Sequence, residues 1–146
     1  MCDLRFAAAG AKLTTAFARR GLIGEYGLAW MLPRLVGPAH ALDLLLSGRV
    51  VLAEEAAELG LVNRVVAPEK LMDETLAYAR ELAANSSPAS MAVIKDQVYG
   101  DLERGLDEAY ARALELMGES FGREDFKEGV ASFVERREPR FAPLGR

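Results

Sequence analysis

The sequence predicts a mostly helical α/β fold with a small amount of sheet. Strand-like segments are short and occur only within the first 66 residues, whereas the rest of the chain has helical spacing of apolar residues. Hydrophobic residues make up 51% of the 146 residues, which suits one domain with a substantial core. Because two or three short strands alone form only a marginal sheet, the chain resembles the second half of a larger fold.

The strand predictions depend on alternation, β-branched residues and turn residues. Ala9-Gly10 separates the first two segments, Thr14 and Thr15 favour extended backbone in the second, and Pro68 follows the last. The predicted extended segments are residues 3–8, 12–15, 49–52 and 61–66.

The helix predictions depend on apolar spacing together with glycine and proline at helix ends. Pro38 suits the first turn of a helix that ends at Gly48, Gly60 ends a shorter one, and Ser87-Pro88 begins another. The predicted helices are residues 38–47, 53–59, 69–84, 88–103, 106–118 and 123–136. In the last of these, Phe126, Val130, Phe133 and Val134 are expected to face inward.

Composition excludes several classes of function. The net charge of −4, with both signs mixed along the chain, argues against a nucleic-acid-binding protein. No apolar run is long enough to span a membrane, and the N-terminus does not resemble a signal peptide. One cysteine and one histidine leave no disulfide framework and argue against a transition-metal site. We therefore expect a soluble cytoplasmic protein without a metal.

The stretch from Gly21 to Gly37 is the strongest candidate for a functional site. It places one carboxylate, Glu25, between glycines and large apolar residues, including the only tryptophan, Trp30. Desolvation by Tyr26, Leu28 and Trp30 would raise the pKa of that carboxylate. Glu25 could equally be an acid favoured by the dipole of the following helix. The sequence pattern alone leaves both interpretations open.

Several motifs occur in a fixed order along the chain. Together they resemble the C-terminal half of the enoyl-CoA hydratase/isomerase (crotonase) superfamily, over Cys2 to about Phe141. The motifs are Cys2-Asp3-Leu4-Arg5, Gly21-Leu22-Ile23, Leu32-Pro33-Arg34-Leu35-Val36-Gly37, Ser47-Gly48-Arg49, the segment 54–66 (EEAAELGLVNRVV) and the segment 128–137 (EGVASFVERR).

The resemblance implies a fold, substrates and partners. The fold would be part of a right-handed ββα spiral, residues 1–67, followed by a helical trimerisation region, 68–141, and a loose tail, 142–146. The substrates would be acyl-CoA thioesters of fatty acid metabolism, with coenzyme A as part of the substrate and no separate cofactor. A complete protein would form a homo-oligomer, either a trimer or a dimer of trimers.

The resemblance also implies roles for individual residues. Phe17 stands where the second hydratase glutamate would lie, and Glu25 stands where the family's enoyl-CoA isomerases carry the single acid that moves a proton between C2 and C4. Ala16, Phe17, Gly24 and Trp30 would contact the substrate, although Phe17 and Trp30 could instead be core residues. Phe133 and Arg136 would contact coenzyme A, although Arg136 also suits a solvated helix end.

Three functional interpretations follow. The first is an acyl-CoA hydratase or isomerase that uses Glu25 as its acid and base. The second is a truncated, non-catalytic fragment or assembly module, because the resemblance places both oxyanion-hole donors before Cys2. The third is another reaction of the superfamily, such as thioester hydrolysis or dehalogenation. For the chain alone we expect exposed apolar surface.

Overall fold

The computed structural model describes residues 2–144 and divides the chain into two compact units, Met1–Leu76 and Ala77–Arg146. The predicted tail at 142–146 lies partly outside the described residues. Residues 138–144 form neither helix nor strand. Within residues 2–144, no helix is both long enough and apolar enough to cross a bilayer.

The first unit contains two two-stranded sheets. Strand β1 (Phe6–Ala8) pairs in parallel with β4 (Arg64–Val66), and β2 (Lys12–Leu13) pairs antiparallel with β3 (Val51–Leu52). The β1–β4 pair is extended by Arg5 and Asn63: the Arg5 N–H donates to Asn63 Oδ1 and the Asn63 N–H donates to the Arg5 carbonyl, each over 2.8 Å.

The helix α1 (Leu28–Ser47) is the longest element of this unit and bends at Gly37. Gly37 has φ 78° and ψ 159°, which is not helical, and Pro38 then begins the second segment. Pro33 does not end the first segment. A residue with an N–H at this position would donate to the carbonyl of Ala29, an exposed residue in the first turn of the helix, so the proline leaves only that carbonyl without its helical partner. The C-terminus is capped by Gly48, whose N–H donates to the Leu44 carbonyl over 3.1 Å.

The buried core lies in the first unit. Helix α1 supplies half of its residues, and β3, the short helix α2 (Ala53–Glu58) and the segment between α2 and β4 supply the rest. Val51 is 2% exposed and has antiparallel pairing to Leu13. The buried hydrophobic residues are Leu32, Val36, Ala41, Leu44, Val51, Ala53, Ala56 and Val62.

The second unit is helical. Helix α3 (Leu71–Asn85) begins in the first unit and ends in the second, and it is followed by α4 (Pro88–Gly100), α5 (Leu106–Phe121) and α6 (Glu124–Glu135). Ser87 caps α4 by accepting the Ser90 N–H over 3.0 Å, and its hydroxyl donates to Asp125 at the start of α6. The rings of Phe121 and Phe126 lie 5.1 Å apart.

The inward orientation predicted for the apolar residues of α6 is wrong in this structure. Phe126 and Val130 are about half exposed, and Phe133 and Val134 are 84% and 73% exposed. The helix has a clear apolar face, but the described part of its unit covers only a fraction of it.

Candidate functional site

A tight turn holds the candidate acid Glu25 just before α1. The Leu28 N–H donates to the Glu25 carbonyl over 2.9 Å, and the two residues between them have positive φ, 54° at Tyr26 and 74° at Gly27. Positive φ at both central positions is typical of a type I′ turn, which favours Gly, Asn and Asp. A tyrosine in this conformation is strained, at a cost of about 1–2 kcal/mol.

Gly24 is a glycine because α1 approaches it closely. A Cβ at this position would lie 3.0 Å from the Ala29 Cβ, so a side chain would force the turn and the helix apart. The close approach fixes the residue before Glu25 against the first turn of α1. Gly24 therefore shapes the candidate site through packing within the chain, and its predicted contact with substrate stays a prediction.

The Glu25 side chain is partly buried and unpaired. Among residues 2–144 no side chain donates a hydrogen bond to its carboxylate or forms an ion pair with it. The residue that caps α1 is Gly27, and no side chain makes the capping hydrogen bond. Glu25 is therefore not a capping acid. The expected enclosure by Tyr26 is wrong, because Tyr26 is 98% exposed and turns away from the chain.

The loop carrying Ala16 and Phe17 is attached to the C-terminal end of α1. Three of its side chains donate to carbonyls at the C-terminal end of the helix: Thr14 to Gly48 over 3.1 Å, Thr15 to Leu44 over 2.9 Å and Arg19 to Ser47 over 2.6 Å. Ala16, which has φ 52°, packs so closely that a Cβ on Gly48 would lie 3.3 Å from its Cα. These contacts end β2 at Leu13, two residues earlier than predicted.

Trp30 lies in the first turn of α1 and is 48% exposed. The guanidinium of Arg34, one turn further along, lies 3.7 Å from the centre of the Trp30 ring. Arg34 is not among the site residues predicted from the sequence, although an arginine four residues after a tryptophan on a helix is a recognisable signal for this contact. Because Trp30 is half exposed, it is not a core residue of the first unit.

A small apolar cavity of about 140 Å³ lies under the first turn of α1. Leu28 and Leu32 form one wall, and the polar groups of the lining are engaged elsewhere. Thr14 and Thr15 donate to helix carbonyls, as described above, and Arg49 pairs with Asp43 at 2.8 Å and Glu55 at 2.6 Å. These hydrogen bonds raise the pKa of Arg49 and lower that of Glu55. The lining consists of Leu13, Thr14, Thr15, Leu28, Leu32, Leu44, Arg49, Val51 and Leu61.

Phe133 and Arg136 lie in the second unit. Phe133 contributes to a cavity of about 560 Å³ whose lining also includes Phe126 and Phe141. Arg136 follows α6 in the left-handed conformation, with φ 54°, and its N–H donates to the Phe133 carbonyl over 3.3 Å. Among residues 2–144 no carboxylate pairs with Arg136.

The neighbouring arginine, Arg137, is engaged in an ion pair. Its guanidinium donates two hydrogen bonds to the Glu128 carboxylate, over 2.6 and 2.9 Å, and the Arg140 N–H donates a third over 2.6 Å. These bonds lower the pKa of Glu128 from 4.5 to about 2. Of the two adjacent arginines, Arg136 is therefore the one whose guanidinium is available to an anionic ligand.

Comparison with known proteins identifies relatives over nearly the whole chain. The family model described as enoyl-CoA hydratase/isomerase matches residues 1–143. A probable enoyl-CoA hydratase of Rhizobium meliloti is 41% identical over 141 residues, which cover 97% of this chain and 54% of that protein. A short-chain-enoyl-CoA hydratase of Clostridioides difficile is 38% identical over 135 residues, covering 90% of this chain and 84% of the relative.

Solved structures agree with the sequence matches. The crystal structure of a probable enoyl-CoA hydratase/isomerase from Mycobacterium abscessus superposes with a TM-score of 0.93 and 32% identity, over 98% of this chain and 58% of that one. The crotonase-like fold predicted from the sequence is thereby confirmed. The chain spans about half the length of the Rhizobium and Mycobacterium proteins.

Proposed function

The chain belongs to the enoyl-CoA hydratase/isomerase family, and from that premise we propose that it supplies the acid–base residue of an enzyme acting on acyl-CoA thioesters. The observation that supports this proposal is the unpaired carboxylate of Glu25. It is partly buried and is carried on a strained turn packed against α1. A carboxylate with no ion-pair partner is free to exchange a proton with a bound substrate that lies within hydrogen-bond reach.

The reaction we favour is the movement of a double bond within an enoyl thioester. The Glu25 carboxylate removes a proton from C2 of a 3-enoyl-CoA, and the C–H electron pair enters the conjugated enolate. The protonated acid then delivers the proton to C4, giving the 2-enoyl-CoA and restoring the carboxylate. One acid suffices, whereas hydration by the two-glutamate route needs a second acid at the position of Phe17.

The test is turnover of 3-enoyl-CoA and 2-enoyl-CoA by the purified protein and by Glu25→Gln. We expect isomerisation to fall by about 10²- to 10⁴-fold, the usual contribution of a general acid–base residue. Glu58→Gln is the matched control, because Glu58 is an exposed carboxylate of the same unit and should leave the rate unchanged. Equal isomerisation by Glu25→Gln and wild type would show that Glu25 is not the proton carrier.

An assembly role is the second candidate. It is supported by the exposed apolar residues of both units, which suit a protein that packs against other polypeptides. Wild type that turns over neither substrate but forms stable oligomers would favour this candidate. Release of free coenzyme A, or of halide from a halogenated acyl-CoA, would instead indicate hydrolysis or dehalogenation.

We make three further proposals, on the coenzyme A contact, the oligomeric state and the location in the cell. Phe133 offers an exposed ring and Arg136 an unpaired guanidinium at one end of α6, a combination suited to a nucleotide base and a phosphate. We propose that this end of the helix contacts coenzyme A in a homo-oligomeric, cytoplasmic enzyme. Weaker binding of coenzyme A by Arg136→Met, with Arg80→Met as the control, would support the contact.

A further inference from the structure

The Arg34 side chain contacts both the backbone carbonyl and the indole ring of Trp30. Its Nη1 donates to the Trp30 carbonyl over 3.0 Å, while the guanidinium carbon lies 3.7 Å from the centre of the indole ring. A hydrogen bond to the main chain fixes where the planar guanidinium sits, and the cation–π contact then fixes the ring beneath it. One face of the indole is covered by Arg34, and the residue remains 48% exposed.

The backbone between Glu25 and Trp30 has little freedom. The Leu28 N–H donates to the Glu25 carbonyl over 2.9 Å, and the Trp30 N–H donates to the Gly27 carbonyl over 3.0 Å. Two successive hydrogen-bonded turns therefore connect the candidate acid to the tryptophan. What remains free is rotation of the indole about its side-chain torsions, which for a half-exposed residue is fast unless a neighbour restrains it.

We propose that Arg34 is a positioning residue, which holds the Trp30 indole so that its uncovered face forms a wall for the planar enoyl thioester beside Glu25. This inference rests on the proposed function. The conjugated C=C–C=O group of a 2-enoyl thioester is flat and stacks on an aromatic face, whereas a saturated acyl chain of the same length does not. The positive charge of Arg34 also contributes. A cation behind the indole ring offsets the negative potential of the ring face, which would otherwise repel an enolate.

The motion of the Trp30 ring can be measured directly by fluorescence. Trp30 is the single tryptophan, so the intrinsic fluorescence of the protein at tryptophan wavelengths comes from it alone. The variants are Arg34→Met, which keeps the apolar stem without the charge, and Arg34→Lys, which keeps the charge without the planar group. Arg80→Met is the matched control, because Arg80 is an exposed helical arginine of α3 with no aromatic partner among residues 2–144. Circular dichroism confirms that each variant is folded.

Without any ligand, Arg34→Met should lower the fluorescence anisotropy of Trp30 and increase its quenching by acrylamide. Arg34→Lys should lie between Arg34→Met and wild type, and Arg80→Met should match wild type. These measurements report the freedom of the indole itself and do not depend on turnover.

With ligand, Arg34→Met should bind 2-enoyl-CoA about two- to five-fold more weakly, the loss expected for a partly exposed cation–π contact. The same ratio should appear as a rise in KM with a smaller change in kcat. Binding of the saturated acyl-CoA of equal length should change less, so that the preference for the conjugated thioester falls.

The outcomes separate this inference from the proposed function. Loss of turnover in Glu25→Gln together with unchanged anisotropy, KM and preference in Arg34→Met would overturn the role of Arg34 alone. Wild type that binds no acyl-CoA would overturn the proposed function, and the thioester wall with it. A freer indole accompanied by the predicted loss of preference for the conjugated thioester supports the inference.

Discussion

Backbone strain marks both segments of the candidate site in the first unit. Ala16 and Tyr26 are non-glycine residues with positive φ, a conformation that costs of order 1–3 kcal/mol and persists only where neighbouring contacts enforce it. The enforcing contacts are visible: Thr14 and Thr15 hold the Ala16 loop to α1, and the Glu25–Leu28 hydrogen bond closes the turn around Tyr26. Strain of this kind clusters at functional sites, which agrees with the role proposed for Glu25.

The Glu128 carboxylate provides a pH-dependent prediction. Its pKa is lowered from 4.5 to about 2, first by the hydrogen bonds from Arg137 and then by the Arg140 N–H. Because the folded-state pKa lies below the unfolded one, the interaction stabilises the protein above about pH 4.5, and its contribution is lost as the pH falls towards 2. Glu128→Gln should therefore lower the melting temperature at neutral pH, and the difference from wild type should shrink through this window.

Thermal unfolding followed by circular dichroism from pH 2 to pH 7 measures this dependence. Glu124→Gln is a suitable control, since Glu124 pairs with Lys127 on the surface of α6 with its side chain 85% exposed. The control should show a small effect throughout. A melting difference between Glu128→Gln and wild type that stays constant down to pH 2 would contradict the assignment.

The sequence could predict Glu25 as a candidate but not its immediate surroundings. Glycines on both sides of Glu25-Tyr26 indicate a turn, yet nothing in a tyrosine side chain predicts left-handed backbone, so the sequence does not predict the exposure of Tyr26. The Thr14, Thr15 and Arg19 contacts depend on where the end of α1 lies in space. Such contacts, formed between residues about 30 positions apart, leave no local pattern in the sequence.

Helices were easier to predict than strands for a physical reason. A helix satisfies its own hydrogen bonds, so its limits follow from local signals such as Pro38, Gly48 and Ser87. A strand extends only as far as its partner does, and the segment predicted at 61–66 forms ladder pairs only at Arg64–Val66 because β1 is three residues long. The spacing of its residues predicts the apolar stripe of α6, but spacing alone does not show what covers that stripe.

Helix α1 has one face in the core and the other in solvent. One of its leucines lies on each face. Leu32 is 2% exposed and Leu46 is 69% exposed. Leu32→Ala should destabilise the protein by about 2–5 kcal/mol, because it removes buried methyl groups and leaves a cavity. Leu46→Ala should change stability by no more than about 0.5 kcal/mol.

Urea unfolding followed by circular dichroism measures both variants, and the shift in midpoint at constant slope gives the change in free energy. Because the two substitutions are chemically identical and lie on one helix, helix propensity contributes equally to both. Equal destabilisation by the two variants would show that the core of the first unit does not lie where the structure places it.

Both units expose many large apolar side chains. Ile23 is 80% exposed in the first unit, and Leu106 is 84% exposed in the second. Within residues 2–144 each sheet has only two strands, so every strand has one edge without a neighbouring strand. Apolar patches and open edges together favour association with other polypeptide chains.

We therefore expect the purified protein to self-associate as its concentration rises, and sulfate to strengthen the association by favouring burial of apolar surface. Sedimentation velocity over a range of concentrations measures this.

Ile23→Gln and Leu106→Gln remove one exposed apolar side chain from each unit with little effect on the fold, so the variant that weakens association more identifies the unit that carries the contact surface. Glu69→Gln, an exposed polar exchange, should leave association unchanged. A monomer at every concentration, with or without sulfate, would mean that these apolar faces are tolerated in water and would remove the main support for the assembly role.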